Sequence, residues 1–400
     1  MTYNWTKWVG PGGKFQWQVS GFANGSNATS PLAPGPQGGS QPIMMMTSDI
    51  SLISDPEYQK IVEKFAQDPS AFDDAFAHSW YKLVTRDMGP VTRCAGNLIP
   101  PAQAFQFPLP PTPAPEDLAN FSAAREEILA AIHTANPDVK PDYYEGEAYY
   151  GALFVRLAWQ CASTFRQTDY LGGCDGARIR FSPEADWSLN AGIDAALDVL
   201  QPIKDQFGSG LSWGDLIALS GTVALEDAGA MTMPFCGGRT DALEGSGSAY
   251  LEPKITGSVN DTIPVMRESM VGVMGLTSRE FVALMGGGHS LGQMHTDRTG
   301  FVGSWTADPT VLSNDYFQNL VGEVWEPFTV SETGQEQFKA SGKDLFMLQT
   351  DLNLRFDAEF LAVVQDFAAD QDMFLEAFAA AWIKVMNIDR FAGPGTNLCD

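Results

Sequence analysis

Cysteine is scarce in this chain. Cys94, Cys161, Cys174, Cys236 and Cys399 are odd in number and irregularly spaced. That argues against a disulfide framework and against a zinc-ligand spacing, and the expectation is reduced thiols. Positive charge is also short, with 24 Lys and Arg against 49 Asp and Glu and a formal net charge of -25. Such a surface repels phosphate backbones and anionic membranes, so nucleic acid is not an expected partner. No apolar run is long enough for a membrane span, and Met1-Thr2-Tyr3-Asn4-Trp5 lacks the basic and apolar blocks of a signal peptide. A soluble protein is expected, intracellular or in an organelle lumen rather than secreted. The sequons at Asn4, Asn24, Asn27, Asn120 and Asn260 keep export open. Convincing strand alternation is scarce as well.

What is present is a large apolar fraction, 44%, enough for a substantial core. An internal repeat lies within it: residues 49–90 match residues 351–392 at a constant offset of 302 without a gap. Asp49, Asp55, Phe65, Asp68, Phe72, Phe76, Trp80, Lys82 and Asp87 fall on Asp351, Asp357, Phe367, Asp370, Phe374, Phe378, Trp382, Lys384 and Asp389. Apolar residues at helical spacing in each copy predict two helices that bury one face. Helical periodicity also covers 118–133, 147–165, 191–206, 213–228, 262–274 and 277–287. The Gly/Pro/Ser-rich stretch Asn24 to Pro42 and the Pro-rich stretch Pro100 to Pro115 are expected to be loop or linker. The fold class is mainly α, with an N-terminal segment over 1–96, a Pro-rich linker over 97–118 and a main domain over 119–400.

Two stretches carry chemistry. In Gly286-Gly287-Gly288-His289-Ser290-Leu291-Gly292-Gln293-Met294-His295, an apolar helix runs into three glycines and a histidine, which lets backbone approach a flat macrocycle that His289 would ligate. A lone histidine in such a place is more often packed core, so its company matters. Trp305 would stack on the imidazole, and Asp351 would accept its second N–H. A metal held by His289 and His295 is set aside, because six residues apart they point to different sides of a helix. The other stretch is Phe154-Val155-Arg156-Leu157-Ala158-Trp159-Gln160. Splitting peroxide needs a base and a cation. Arg156 supplies the cation, Trp159 lies on the same helix face, Gln160 is four residues on, and Asn190 would orient residue 160.

These motifs resemble those of the class I haem peroxidases. Arg156-Leu157-Ala158-Trp159-Gln160 matches the family's Arg-Leu-Ala-Trp-His in four of five places, and Gly287-Gly288-His289-Ser290-Leu291-Gly292 matches its Gly-Gly-His-Thr-x-Gly. Thr350-Asp351-Leu352-Asn353-Leu354 and Asn190-Ala191-Gly192-Ile193-Asp194 are similar to two further motifs. The likeness is nearest to catalase-peroxidases: residues 3–96 resemble the end of their first domain and 119–392 resemble their second. The resemblance implies a haem-peroxidase helical fold, haem b on His289, and hydrogen peroxide with a small reductant as substrates. It also implies Arg156, Trp159, Gln160, Asn190, Trp305 and Asp351 as catalytic residues, with Ser290 and His295 beside the cofactor. The family's proximal potassium site falls on Ser290, Thr306, Asp308 and Ser313, and its ascorbate-holding arginine on Arg298. A covalent adduct of Trp159, Tyr250 and Met274, and a homo-oligomer or subunit role in a larger complex, are further implications.

Gln160 breaks the pattern. An amide is no base, so the proton shuttle is missing and the first step should slow by on the order of 10²–10⁴. An inactive structural or interaction subunit, or a haem sensor or carrier, are therefore competing readings.

Overall fold

The computed structural model describes residues 3–10, 12–22, 32–35 and 37–399. The sequons at Asn24 and Asn27, and part of the Gly/Pro/Ser-rich stretch, lie outside the described residues. The chain divides into two compact units, Met1–Thr85 and Arg86–Asp400.

The first unit opens with strands β1 (Tyr3–Val9) and β2 (Phe15–Phe22), paired antiparallel with Lys7 opposite Trp17. A small hairpin follows, β3 (Leu32–Pro34) with β4 (Ser40–Pro42), and β5 (Met44–Met45) adds to the free edge of β2. Helices α1 (Thr47–Ser51), α2 (Pro56–Gln67) and α3 (Pro69–Thr85) complete the unit. Asp55 caps α2 by accepting from the Glu57 and Tyr58 N–H groups, with Pro56 at the first helical position. The strands correct the expectation of little β structure. Most β1 residues are exposed, and aromatic and polar side chains occur on both faces, so the apolar-in, polar-out contrast that marks a strand is missing.

The second unit is helical, as the periodicity predicts. In chain order come α4 (Phe121–Ile132), the ribbon β6 (Asp142–Tyr144) and β7 (Glu147–Tyr149), then α5 (Gly151–Ala162), α6 (Asp194–Phe207) and α7 (Trp213–Asp227). Next are α8 (Ile263–Met266), which runs into a π-helical turn over Arg267–Val273, α9 (Ser278–His289) and α10 (Asp315–Gly322). A three-stranded sheet of β8 (Trp325–Thr329), β9 (Glu336–Ala340) and β10 (Phe346–Met347) leads through α11 (Gln349–Asn353) to α12 (Ala358–Ala369) and α13 (Gln371–Asn387). Helix α7 runs through the core, buried on every side from Gly214 to Leu225. The Pro-rich stretch belongs to this unit: Arg178 donates to the Phe107 carbonyl at 2.9 Å.

Small residues set how closely the helices approach. A Cβ on Gly221 of α7 would lie 2.4 Å from that of Ala158 on α5. Two of the three glycines before His289 serve the same end, since a Cβ on Gly286 would meet Phe317 at 2.1 Å and one on Gly287 would meet Phe378 at 2.2 Å. Only Gly288 faces open space. This narrows the sequence reading, in which all three admit a macrocycle.

The thiol expectation is overturned. Cys161–Cys174 and Cys236–Cys399 are disulfides, and Cys94 alone is free. Their spacing along the chain gave no signal because both pairs are made by the tertiary fold, Cys161 at the end of α5 against the loop that follows, and Cys236 against the C-terminal tail. Near that tail, Arg239 and Asp215 form an ion pair at 3.0 Å with both side chains at 0% exposure, and Arg239 also donates to the Cys236 and Met386 carbonyls. The guanidinium thereby joins the start of α7 to the end of α13.

Gly287→Val tests the helix packing. Branched bulk against Phe378 should cost about 1–3 kcal/mol, read as a lower midpoint with unchanged slope in urea unfolding.

Candidate active site

Helix α9 delivers His289 at its last residue, where the glycines have brought it against Phe317 and Phe378. Its Nδ1 lies 2.7 Å from Asp351 Oδ1, and its ring stacks on Trp305 with centroids 4.4 Å apart and 20° between planes. Trp305 Nε1 donates to Asp351 Oδ2 at 2.9 Å. Tyr316, from the first turn of α10, donates its hydroxyl to Asp351 Oδ1 at 2.7 Å, and the Leu348 N–H donates to Oδ2 at 2.7 Å. Asp351 is fully buried at the first turn of α11. Burial alone would raise its carboxyl, but the charge and hydrogen bond of His289, with the Leu348 and Tyr316 donors, hold it below the usual carboxylate range. The same burial, with the Asp351 charge, pushes the Tyr316 phenol well above its ordinary value.

Sequence reasoning named His289, Trp305 and Asp351 and missed Tyr316. An aromatic on an amphipathic helix reads as core, and only its hydroxyl, buried and needing a partner, distinguishes it. With Nδ1 donating to the carboxylate, Nε2 is the free nitrogen of His289, and the ring is 28% exposed.

Helix α5 carries Arg156, Trp159 and Gln160. Arg156 donates to the carbonyls of Ala191 at 3.0 Å and Leu189 at 2.8 Å, which ties α5 to the loop that holds Asn190. Burial first, and then the nearby Arg298 charge, bring its guanidinium down to about 10, so it stays protonated at neutral pH. Asn190 does not orient Gln160, a correction to the sequence expectation. Its amide donates to the Glu184 carbonyl at 2.8 Å, and its buried Oδ1 has no hydrogen-bond partner. The 3₁₀ turns at Glu184–Asp186 and Ser188–Asn190 set that geometry.

Arg298 lies on this side too, because a Cβ on Gly192 would meet its Cγ at 2.7 Å. His295 turns away to pair with Asp142 at 2.9 Å, and Gln293 donates to the same carboxylate. Burial would raise Asp142, yet the hydrogen bond and charge of His295, with Gln293 and Arg298, leave it lowered.

The four residues matched to a cation site are engaged with protein groups. Ser290 donates to the Gly286 and Ser313 carbonyls, Thr306 donates to the Ser290 carbonyl, Ser313 Oγ accepts from the Asp315 N–H, and Asp308 accepts from Thr310. Among the described residues no group of three His, Cys, Asp or Glu gathers as for a metal. Met274 is buried, whereas Tyr250 is 89% exposed and makes no ring contact with Trp159, so the packing gives the adduct no support.

Glu184 offers a test of the Asn190 turn. Burial lifts its carboxyl to about 7 despite the Ser248 hydrogen bond and the Arg178 charge. Its raised folded value means that the fold favours the protonated form. Stability attributable to Glu184 therefore falls as pH rises from about 4.5, where the unfolded chain ionises, and the full loss is reached above about 7, at roughly 3 kcal/mol. Glu184→Gln should flatten the decline in unfolding free energy between pH 5 and pH 8 by about that amount, measured by denaturant titration at each pH.

With the geometry in place, comparison with known proteins becomes informative. A family profile described as Peroxidase matches residues 135–370, a span that contains every helix from α5 to α12. The chain is 34% identical to the catalase-peroxidase of Salinibacter ruber over 433 residues, covering 98% of this chain and 56% of that protein. It is 35% identical to catalase-peroxidase 2 of Legionella pneumophila subsp. pneumophila over 428 residues, with 98% and 54% covered. The catalase-peroxidase of Halobacterium salinarum matches at 33% over 430 residues, with 98% and 56% covered. The chain thus spans about half the length of the curated relatives it matches. A profile over more than half of the chain, together with relatives a third identical along nearly all of it, shows that the chain belongs to the peroxidase family, on the class I branch that includes the catalase-peroxidases.

Proposed function

We propose that this chain binds haem b on His289 and uses it in a peroxide-dependent oxidation of a small reductant, with a first step slowed by Gln160. The observation that carries the reading is the state of the imidazole. Its Nδ1 is committed to a buried carboxylate, its ring is fixed on Trp305, and Nε2 has no hydrogen-bond partner among the described residues. A histidine packed only for structure needs no such set. Hydrogen bonding of the far nitrogen to a carboxylate raises the basicity of a ligating imidazole. The residues present fit the cofactor.

When bound, haem supplies an iron that can take part in the two-electron reduction of peroxide. The protein's share begins with Arg156. Its half-buried, protonated guanidinium is held by the two carbonyls and can stabilise charge that develops on a peroxide oxygen. Trp159 walls the same face. Gln160 can donate through its amide N–H or accept through its oxygen, but it moves no proton. Proton transfer must then pass through water or the substrate, and the rate drops accordingly. Arg298 and Arg156 make this side positive, which suits an anionic reductant. Potassium is not part of the proposal.

Reconstitution with haem, followed by visible absorption spectroscopy, tests the reading. A Soret band should form, and His289→Ala should remove its axial-histidine signature; no band in the wild-type chain refutes haem binding, and unchanged ligation in the variant refutes the role of His289. Gln160→His should raise the second-order rate constant with peroxide by on the order of 10²–10⁴, read by stopped-flow spectroscopy. No gain would mean that the barrier lies elsewhere than at residue 160.

A further inference from the structure

Exposure sorts the asparagines of this chain. Among the described residues four are exposed, Asn4, Asn97, Asn120 and Asn260, and three of these have a hydroxyl residue two places on, at Thr6, Ser122 and Thr262. The other seven, among them Asn190, Asn314 and Asn353, are buried or half-buried, and not one of them is followed in that way. Triplets that arose by chance would ignore burial. An asparagine-linked glycan requires this sorting, because its acceptor is an Asn-x-Ser/Thr triplet at the surface.

Asn120 and Asn260 also present the acceptor atom. Asn260 lies in the loop before α8, which its neighbour holds from within: buried Asp261 accepts from the Thr256 and Gly257 N–H groups at 2.8 and 2.6 Å, and its carbonyl accepts from Asn353 at 2.6 Å. The Asn260 side chain itself makes no hydrogen bond among the described residues. Asn120 caps α4 through Oδ1, which accepts from the Ser122 and Ala123 N–H groups, and its Nδ2, to which a sugar would be joined, has no partner among the described residues. An amide that carries a sugar keeps its carbonyl oxygen, so the cap and the modification are compatible. The cysteines give a second, independent observation. Cys161–Cys174 and Cys236–Cys399 are paired, and both residues of the first pair are 1% exposed. Disulfides form and persist in the oxidising compartments of the secretory route, the same route along which such triplets are glycosylated.

We propose that Asn120 and Asn260 are N-glycosylated and that the chain matures in an oxidising, glycosylating compartment. In the transfer, Nδ2 attacks the anomeric carbon of an oligosaccharide carried on a lipid pyrophosphate. A C–N bond forms, the sugar's C–O bond to the pyrophosphate breaks, the amide gives up a proton, and the lipid pyrophosphate leaves with the electron pair. Each disulfide forms as a pair of thiols loses two electrons and two protons to a disulfide-bearing oxidoreductase, which is reduced to its dithiol. Neither step involves haem or Gln160, so the inference is independent of the proposed function.

Peptide mass spectrometry tests both halves on the chain isolated from the cells that make it, with N-ethylmaleimide added at lysis. Peptide N-glycosidase should release a glycan from each site and turn Asn120 and Asn260 into aspartate, and Cys94 alone among the five cysteines should carry the maleimide. An asparagine found unmodified overturns the assignment at its own site, and maleimide on Cys161, Cys174, Cys236 and Cys399 overturns the oxidising compartment. Substitution of the hydroxyl residues, whose exposed side chains make no hydrogen bond among the described residues, separates the acceptor triplet from the fold. In the full chain directed into the secretory pathway of a eukaryotic host, Ser122→Ala and Thr262→Ala should each remove one glycan, read as one step of glycosidase-sensitive electrophoretic mobility, whereas Ser122→Thr and Thr262→Ser should keep it. Mobility that does not respond to the alanine substitution overturns the assignment at that site.

Discussion

A single buried carboxylate organises the second unit. Asp351 accepts hydrogen bonds from His289, Trp305, Tyr316 and the Leu348 N–H, so four segments far apart in the chain meet on two oxygens. At full burial an unpaired carboxylate would be costly, and each donor lowers that cost while being fixed in place by it. The end of α9, the Trp305 loop, the start of α10 and the sheet that enters α11 therefore have one mutual geometry. The position of His289 follows from that geometry, and the chemistry proposed for the site follows from His289.

The surroundings of Arg156 and Asn190 are built on backbone carbonyls. Arg156 is anchored by Ala191 and Leu189, and Asn190 by Glu184, so a loop of short 3₁₀ turns sets the cation and the amide. Gln160 is not tied into that network, and Asn190 Oδ1 is left unsatisfied.

Much of this was legible in the residues. Helical periodicity predicts the helices of the second unit, and Asp351, which opens the second copy of the repeat, is expected to accept from His289. The family likeness, drawn from four motifs, is shown by the comparisons over more than half of the chain. What stayed hidden depends on tertiary contact. Tyr316 is one of several aromatics on its helix, and only the direction of its hydroxyl sets it apart. The two disulfides join residues 13 and 163 apart, separations that carry no local signal. Gly286 and Gly287 follow from Phe317 and Phe378, which are distant in sequence. In β1 the alternation is broken at Lys7 and Trp8, whereas Phe15-Gln16-Trp17-Gln18-Val19-Ser20 of β2 does alternate and is a strand signal that the sequence reading missed.

The disulfide Cys236–Cys399 has a mechanical consequence. It closes a covalent ring that contains His289, Trp305, Tyr316 and Asp351, while Arg156 and Gln160 lie outside it. A pull applied at Cys399 is delivered to the loop at Cys236 and bypasses α13, the helix that covers Gly287. The imidazole and its carboxylate sit on a covalently closed ring, and Gln160 sits outside it.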